Sequence, residues 1–214
     1  MCLLCFCAPT PVDPDEPREL AEAAARLNLK HVVITSVDRD DLEDGGAGQF
    51  AKTLEELREK LPEATTEVLV PDFRPAPELG LDLVLGADPT IFSHNVETVR
   101  RLYPAARPGS NYDHSVSLLS SAAERIGGDR VKSSLILGLG EKEDEVRETI
   151  QDLYRAGSRR INLGQYLAPS DRHIPVKRYW TPDEFTELGQ FAKDLGFIKV
   201  ESAPLVRSSY HASV

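Results

Sequence analysis

Short β-branched runs alternate with amphipathic stretches of helical length along most of this chain, and that alternation leaves few folds open. Glu16 to Leu29 carries Leu20, Ala23, Ala24 and Leu27 at helical spacing, with Pro17 placed as a first-turn proline. His31 to Val37 is a β-branched run of strand length. Helix is then expected over Phe50 to Lys60, Tyr112 to Arg125, Asp144 to Ala156 and Pro182 to Leu195. Strands are expected over Glu67 to Val70, Ile91 to Asn95, Val131 to Leu137, Ile161 to Leu167 and Phe197 to Val200. Gly127-Gly128 ends one helix, Gly157 caps another, and Asp144 and Asp183 read as N-caps. Strands alternating with helices imply βαβ units around a parallel sheet, which right-handed crossovers can curl into a full or partial barrel. No repeat or low-complexity linker divides the sequence, so one domain over residues 1–214 is expected.

Composition narrows the function classes. A net charge of −10 argues against a nucleic-acid partner, which would favour a basic surface. No apolar run approaches the ~20 residues that span a bilayer, so no membrane role is expected. Met1 to Cys7 lacks the basic region and long apolar stretch of a signal peptide, and the chain reads as cytoplasmic, or as an organelle protein without its transit peptide. All three cysteines, Cys2, Cys5 and Cys7, fall within the first seven residues. A disulfide framework would spread an even number along the chain, so clustered thiols point instead to a soft metal or an iron–sulfur cluster. A zinc site and a frayed terminus without function are the alternatives.

In parallel α/β folds the ligand site lies at the carboxyl ends of the strands. The residues following the strands here are polar: Ser36 to Asp41 with Asp44-Gly45-Gly46, Pro71 to Arg74, His94 to Glu97, Gly138 to Glu141, and Gly164 to Tyr166. A cavity so lined suits a small ligand with amine, carboxylate and ribose groups. Glu97 or Glu141 can accept from an ammonium or a ribose hydroxyl, and Asn95 can donate and accept. His94, His173 and His211 have no metal-type spacing and read as structural. The Asp38 to Asp41 run is either a cation site or a solvated turn, while Tyr179 and Trp180 read as packing residues.

Five strings together resemble the lipoyl synthase family. They are Val33 to Leu42 with Asp44-Gly45-Gly46; His94 to Val99; Leu137 to Glu141; Gly164 to Leu167; and Arg207 to Ala212. The resemblance implies an α/β fold, a partial (β/α) TIM-like barrel of the radical S-adenosylmethionine (SAM) type, with its first strand missing from this chain. It implies a [4Fe–4S] cluster held by Cys2, Cys5 and Cys7 that reductively cleaves SAM. The 5′-deoxyadenosyl radical so formed takes hydrogens from C6 and C8 of a protein-bound octanoyl chain. In the family a second, auxiliary [4Fe–4S] cluster gives up two sulfurs and has a serine ligand, which maps to Ser209 of the Ser208-Ser209 pair. Ser36, Asp38, Asn95, Glu97, Gln165 and Tyr166 are the implied SAM-binding residues. The implied partners are an octanoylated lipoyl carrier domain (a dehydrogenase E2 subunit or the glycine cleavage H protein) and a low-potential donor such as ferredoxin or flavodoxin.

Two departures accompany the resemblance. The family spacing is Cys-x3-Cys-x2-Cys, whereas Cys2, Cys5 and Cys7 give Cys-x2-Cys-x-Cys, which shortens the reach of the ligand loop. The family's upstream cysteine set for the auxiliary cluster has no counterpart in this sequence. This chain by itself is therefore expected not to complete sulfur insertion. A single-cluster SAM-cleaving enzyme and a defective or noncatalytic fragment that still binds a lipoyl carrier are the other readings.

Overall fold

Six strands and seven α-helices build the described residues, 9–209 of a computed structural model. Cys2, Cys5 and Cys7, and the Tyr210-His211-Ala212 end of the last string, lie outside the described residues. Contacts divide the described residues into two units, one up to Ser93 and one from His94 onward.

The first unit runs α1 (Glu16–Arg26), β1 (His31–Thr35), α2 (Ala47–Lys60), β2 (Thr65–Leu69), α3 (Pro77–Gly86) and β3 (Ile91–Ser93). The strands are parallel, with Val33 opposite Glu67 and Val68 opposite Phe92. Val32, Ile34, Val68, Ile91 and Phe92 are buried, as are Ala21 and Ala24 of α1 and Phe50, Leu54 and Leu57 of α2. Phe73 packs edge-on against Phe50, ring centroids 6.4 Å apart. α3 falls where no helix was expected. Leu79, Leu81, Leu83, Val84 and Leu85 surround it with apolar side chains, so it carries no amphipathic period, and Pro77 starts it.

The second unit holds the short α4 (Tyr103–Ala106), α5 (Tyr112–Ile126), β4 (Val131–Leu137), α6 (Glu143–Arg155), β5 (Arg160–Gln165), α7 (Pro182–Leu195) and β6 (Lys199–Ser202). β4 and β5 pair in parallel with Lys132 opposite Arg160, Ser134 opposite Asn162 and Ile136 opposite Gly164. The two-residue period puts Lys132, Ser134, Ile136, Asn162 and Gly164 on one face of this pair. The last strand starts two residues later than expected, because Phe197 N–H closes the end of α7 on Ala192 C=O before Lys199 pairs with Arg160.

Two expected caps are corrected. Asp144 and Asp183 sit inside the first turns of α6 and α7, where negative charge still complements the helix dipole. Thr181 is the N-cap of α7, its hydroxyl accepting from Glu184 N–H while the Glu184 carboxylate accepts from Thr181 N–H. Glu145 serves Lys142 N–H in the same way at 2.8 Å. No helix of the described residues is long and apolar enough to cross a membrane.

Candidate functional site

In the second unit the chain leaves His94 and bends sharply. Glu97 adopts φ +68°, a left-handed conformation uncommon for a residue with a side chain. The bend is fixed from both sides: Glu97 N–H donates to Ser134 C=O at 3.0 Å, and Ile136 N–H donates to Glu97 C=O at 2.8 Å. Arg107 donates to Asn95 C=O, and Tyr103 hydroxyl to Val96 C=O. Asn95 and Glu97 are thereby held beside the polar face of β4 and β5, and the Asn95 amide donates to Glu97 Oε1 at 3.0 Å.

These residues border a cavity of about 160 Å³, whose walls include Asn95, Glu97, Ser134, Asn162, Arg207 and Ser208. Asn95 Oδ1 and Ser134 Oγ are buried without a hydrogen-bond partner. An orphaned buried acceptor costs about 1–3 kcal/mol, which a ligand or water donor removes. Burial pushes the Glu97 carboxyl above its usual pKa, against the lowering effects of the Asn95 hydrogen bond and of Arg107 and His94. The Arg207 guanidinium is directed to Val206 C=O at 2.6 Å and Pro204 C=O at 3.4 Å. The wall thus offers a carboxyl, an amide oxygen and a hydroxyl to a small polar group, and the volume is that of a fragment and not of a nucleotide-sized molecule.

The other residues singled out are placed differently. The Gln165 amide donates to Tyr166 C=O and Arg178 C=O, both at 3.0 Å, and its oxygen accepts from Trp180 N–H at 2.9 Å. Tyr166 hydroxyl donates to Ile174 C=O at 2.9 Å, and burial raises its pKa. Both therefore tie down the segment after β5. Glu141 accepts from Leu139 N–H at 2.9 Å and from the Trp180 indole at 2.8 Å, and also from Gly138 N–H. It shapes its own loop instead of offering a free carboxylate. Gly138 in that loop is at φ +120°, and a Cβ there would stand 2.7 Å from the Arg178 carbonyl oxygen. Arg101 grips the Glu145 carboxylate with two bonds of 2.6 and 2.8 Å and holds that carboxyl at about 2, while also donating to Gly140 C=O. Trp180 is buried as expected, but Tyr179 is 69% exposed and packs little.

Ser36 and Asp38 belong to the first unit, after β1. Ser36 hydroxyl donates to Val37 C=O at 3.0 Å, and Asp38 lies 3.9 Å from Arg74, which also pairs with Asp40. Ser209 is exposed in a turn. Among the described residues no group of three or more His, Cys, Asp or Glu could hold a metal ion. Ser134, Asn162 and Lys132 were not singled out in the sequence. Their signal is present in the sequence: a polar Lys132-Ser133-Ser134 run inside an otherwise apolar strand, and Asn162 between Ile161 and Leu163.

The Radical SAM superfamily profile matches residues 5–153. The chain is 54% identical over 204 residues to a lipoyl synthase of Methylococcus capsulatus, covering 95% of this chain and 63% of that protein. Identity to a Coxiella burnetii lipoyl synthase is 51%, covering 96% and 65%. For a Leptospira interrogans lipoyl synthase it is 50%, covering 95% and 67%. The chain therefore spans a little under two thirds of the length of the first two relatives. Among solved structures, the radical SAM enzyme coproporphyrinogen III oxidase (HemN) of Escherichia coli aligns with TM-score 0.62 at 16% identity, over 92% of this chain and 49% of that one. That likeness carries the fold alone, an α/β arrangement of the radical SAM type.

Proposed function

This chain belongs to the lipoyl synthase family of the radical SAM superfamily, and on that premise we propose that it forms the SAM-binding and SAM-cleaving core of an enzyme that inserts two sulfurs into a protein-bound octanoyl chain. The observation that carries this reading is identity of 50–54% to lipoyl synthases over some 95% of the chain. The physical support is the cavity at Asn95 and Glu97, whose unpartnered oxygens suit the amine or ribose hydroxyls of SAM.

Cys2, Cys5 and Cys7 are the proposed thiolate ligands of a [4Fe–4S] cluster, and three is the number that leaves one iron free for SAM. Such a cluster, with SAM, supplies a carbon radical able to take hydrogen from an unactivated methylene. The chain's own residues do the rest. Glu97 and Asn95 accept from the cofactor, and Ser134 can donate or accept. Gln165 and Tyr166 brace the segment beyond β5, and Ser36 and Asp38 supply polar groups beyond β1. Ser209 is the proposed serine ligand of an auxiliary cluster. The three cysteines present suffice for one cluster, so SAM cleavage is the part of the reaction this sequence supports by itself.

The proposed substrate is an octanoylated lipoyl carrier domain, and the reductant a ferredoxin or flavodoxin. A cytoplasmic location fits three clustered thiols, which persist in a reducing compartment. The test is anaerobic reconstitution with iron and sulfide, followed by dithionite, SAM and octanoylated carrier. Formation of 5′-deoxyadenosine is expected. A reconstituted chain that holds about four irons yet forms none would refute the reading.

A further inference from the structure

The C-terminal segment does not simply trail from β6. Its backbone crosses the polar face of β4 and β5 and is fastened there at three points. Lys132 Nζ donates to Ser208 C=O at 2.5 Å. The Asn162 amide donates to Arg207 C=O at 2.8 Å and to Ser208 C=O at 3.1 Å. At Gly164 the segment comes so close that a Cβ would stand 2.1 Å from Val206 C=O. That contact is with backbone, so a side chain could fit only by moving the segment. The three contacts lie in one row of the strand pair: Asn162 and Gly164 alternate along β5, and Lys132 is on the same face of β4. Lys132 is 5% exposed, and a buried ammonium is tolerated only with acceptors. The Ser208 carbonyl is one of its acceptors.

Val206, Arg207 and Ser208 are also part of the wall of the cavity that Asn95, Glu97 and Ser134 border. Seating the segment therefore completes the cavity, and releasing it opens one side to water. We propose that Lys132, Asn162 and Gly164 are positioning residues that clasp Val206–Ser208 into the wall of this cavity. Ligand binding at Asn95 and Glu97 and seating of the C-terminal segment then stabilise each other. The inference rests on the cofactor reading above for the identity of the ligand. It requires reciprocity, because a coupling free energy acts equally in both directions.

The experiment uses the anaerobically reconstituted full chain with S-adenosylhomocysteine as probe. Two quantities are read: its Kd, and amide hydrogen exchange of the peptide spanning residues 204–209. In wild type the probe is expected to slow exchange in that peptide. K132M, N162A and G164A are each expected to speed exchange there and to raise Kd about tenfold, with exchange in α5 and α6 unchanged. In K132M the probe no longer slows the segment, and K132R, which keeps charge and donors, recovers part of both effects. Should a variant fail to fold, a chain ending at Val206 removes Arg207 and Ser208 from the wall and is expected to raise Kd as much. Faster exchange with unchanged Kd overturns the coupling, and unchanged exchange overturns the clasp. A wild type that binds no probe instead strikes the cofactor reading, and takes the coupling with it.

Discussion

The strand end after β1 and the strand end after β3 carry similar residue types and use them in opposite ways. Arg39 pairs with Asp41, Arg74 pairs with Asp40 and stands 3.9 Å from Asp38, and Ser36 hydroxyl donates to its neighbour Val37 C=O, with the carboxylates partly in water. Such exposed pairs are worth at most about 1 kcal/mol each. Asn95 and Glu97 sit on a bend locked by the backbone of β4, with one oxygen buried and unpartnered and one carboxyl whose ionisation burial disfavours. A serine, an aspartate or an asparagine after a parallel strand is therefore not yet a site. What makes one is the removal of water and of internal partners, because only then does a ligand gain more than it displaces.

A third strand end, the loop after β4, sharpens the contrast most, because its carboxylate is taken up wholly by internal partners. E141A removes one acceptor from three buried donors, two backbone N–H groups and the Trp180 indole, and is expected to lower stability by about 3 kcal/mol. Urea unfolding followed by the fluorescence of Trp180, the single tryptophan, measures it. A loss under about 1 kcal/mol would mean that the loop is held by something else. Next is E97Q, which keeps the shape but replaces one carboxyl oxygen with an amide NH2, a donor in place of an acceptor. It is expected to weaken S-adenosylhomocysteine binding about tenfold, the range of a buried donor left without its acceptor.

The same variant has a stability signature of opposite sign. Folding raises the Glu97 pKa through burial, so the native state favours the protonated carboxyl. Its stabilising effect is complete below the ordinary glutamate pKa and is lost as pH rises through the raised native value. The melting temperature of wild type should accordingly fall relative to E97Q over that interval, and the two should converge in acid. Smallest are S36A and D38A, expected to change stability by less than about 0.5 kcal/mol and probe binding less than about threefold. A D38A effect as large as that of E97Q would break the contrast between the two regions.

Most elements were legible because their periodicity was strong. α5 and α7 begin at the expected residues Tyr112 and Pro182, and β4 spans the expected Val131 to Leu137. α3 escaped because a helix that is apolar nearly all round has no period to detect. The site was legible only in part. The string His94 to Glu97 marks the bend that borders the cavity, but nothing in it says that Glu97 takes a positive φ or that β4 supplies both of its backbone partners. For Gln165 and Glu141 the sequence shows a polar side chain after a strand and not its partners. Each spends its hydrogen bonds on the loop around Trp180, 15 and 39 residues away along the chain.

The proposed SAM site beside Asn95 and Glu97 is open to calorimetric titration of S-adenosylhomocysteine into the reconstituted full chain, wild type beside E97Q. Saturable binding to wild type is expected, with a Kd at least about tenfold higher for E97Q. Equal Kd values for the two proteins would contradict it.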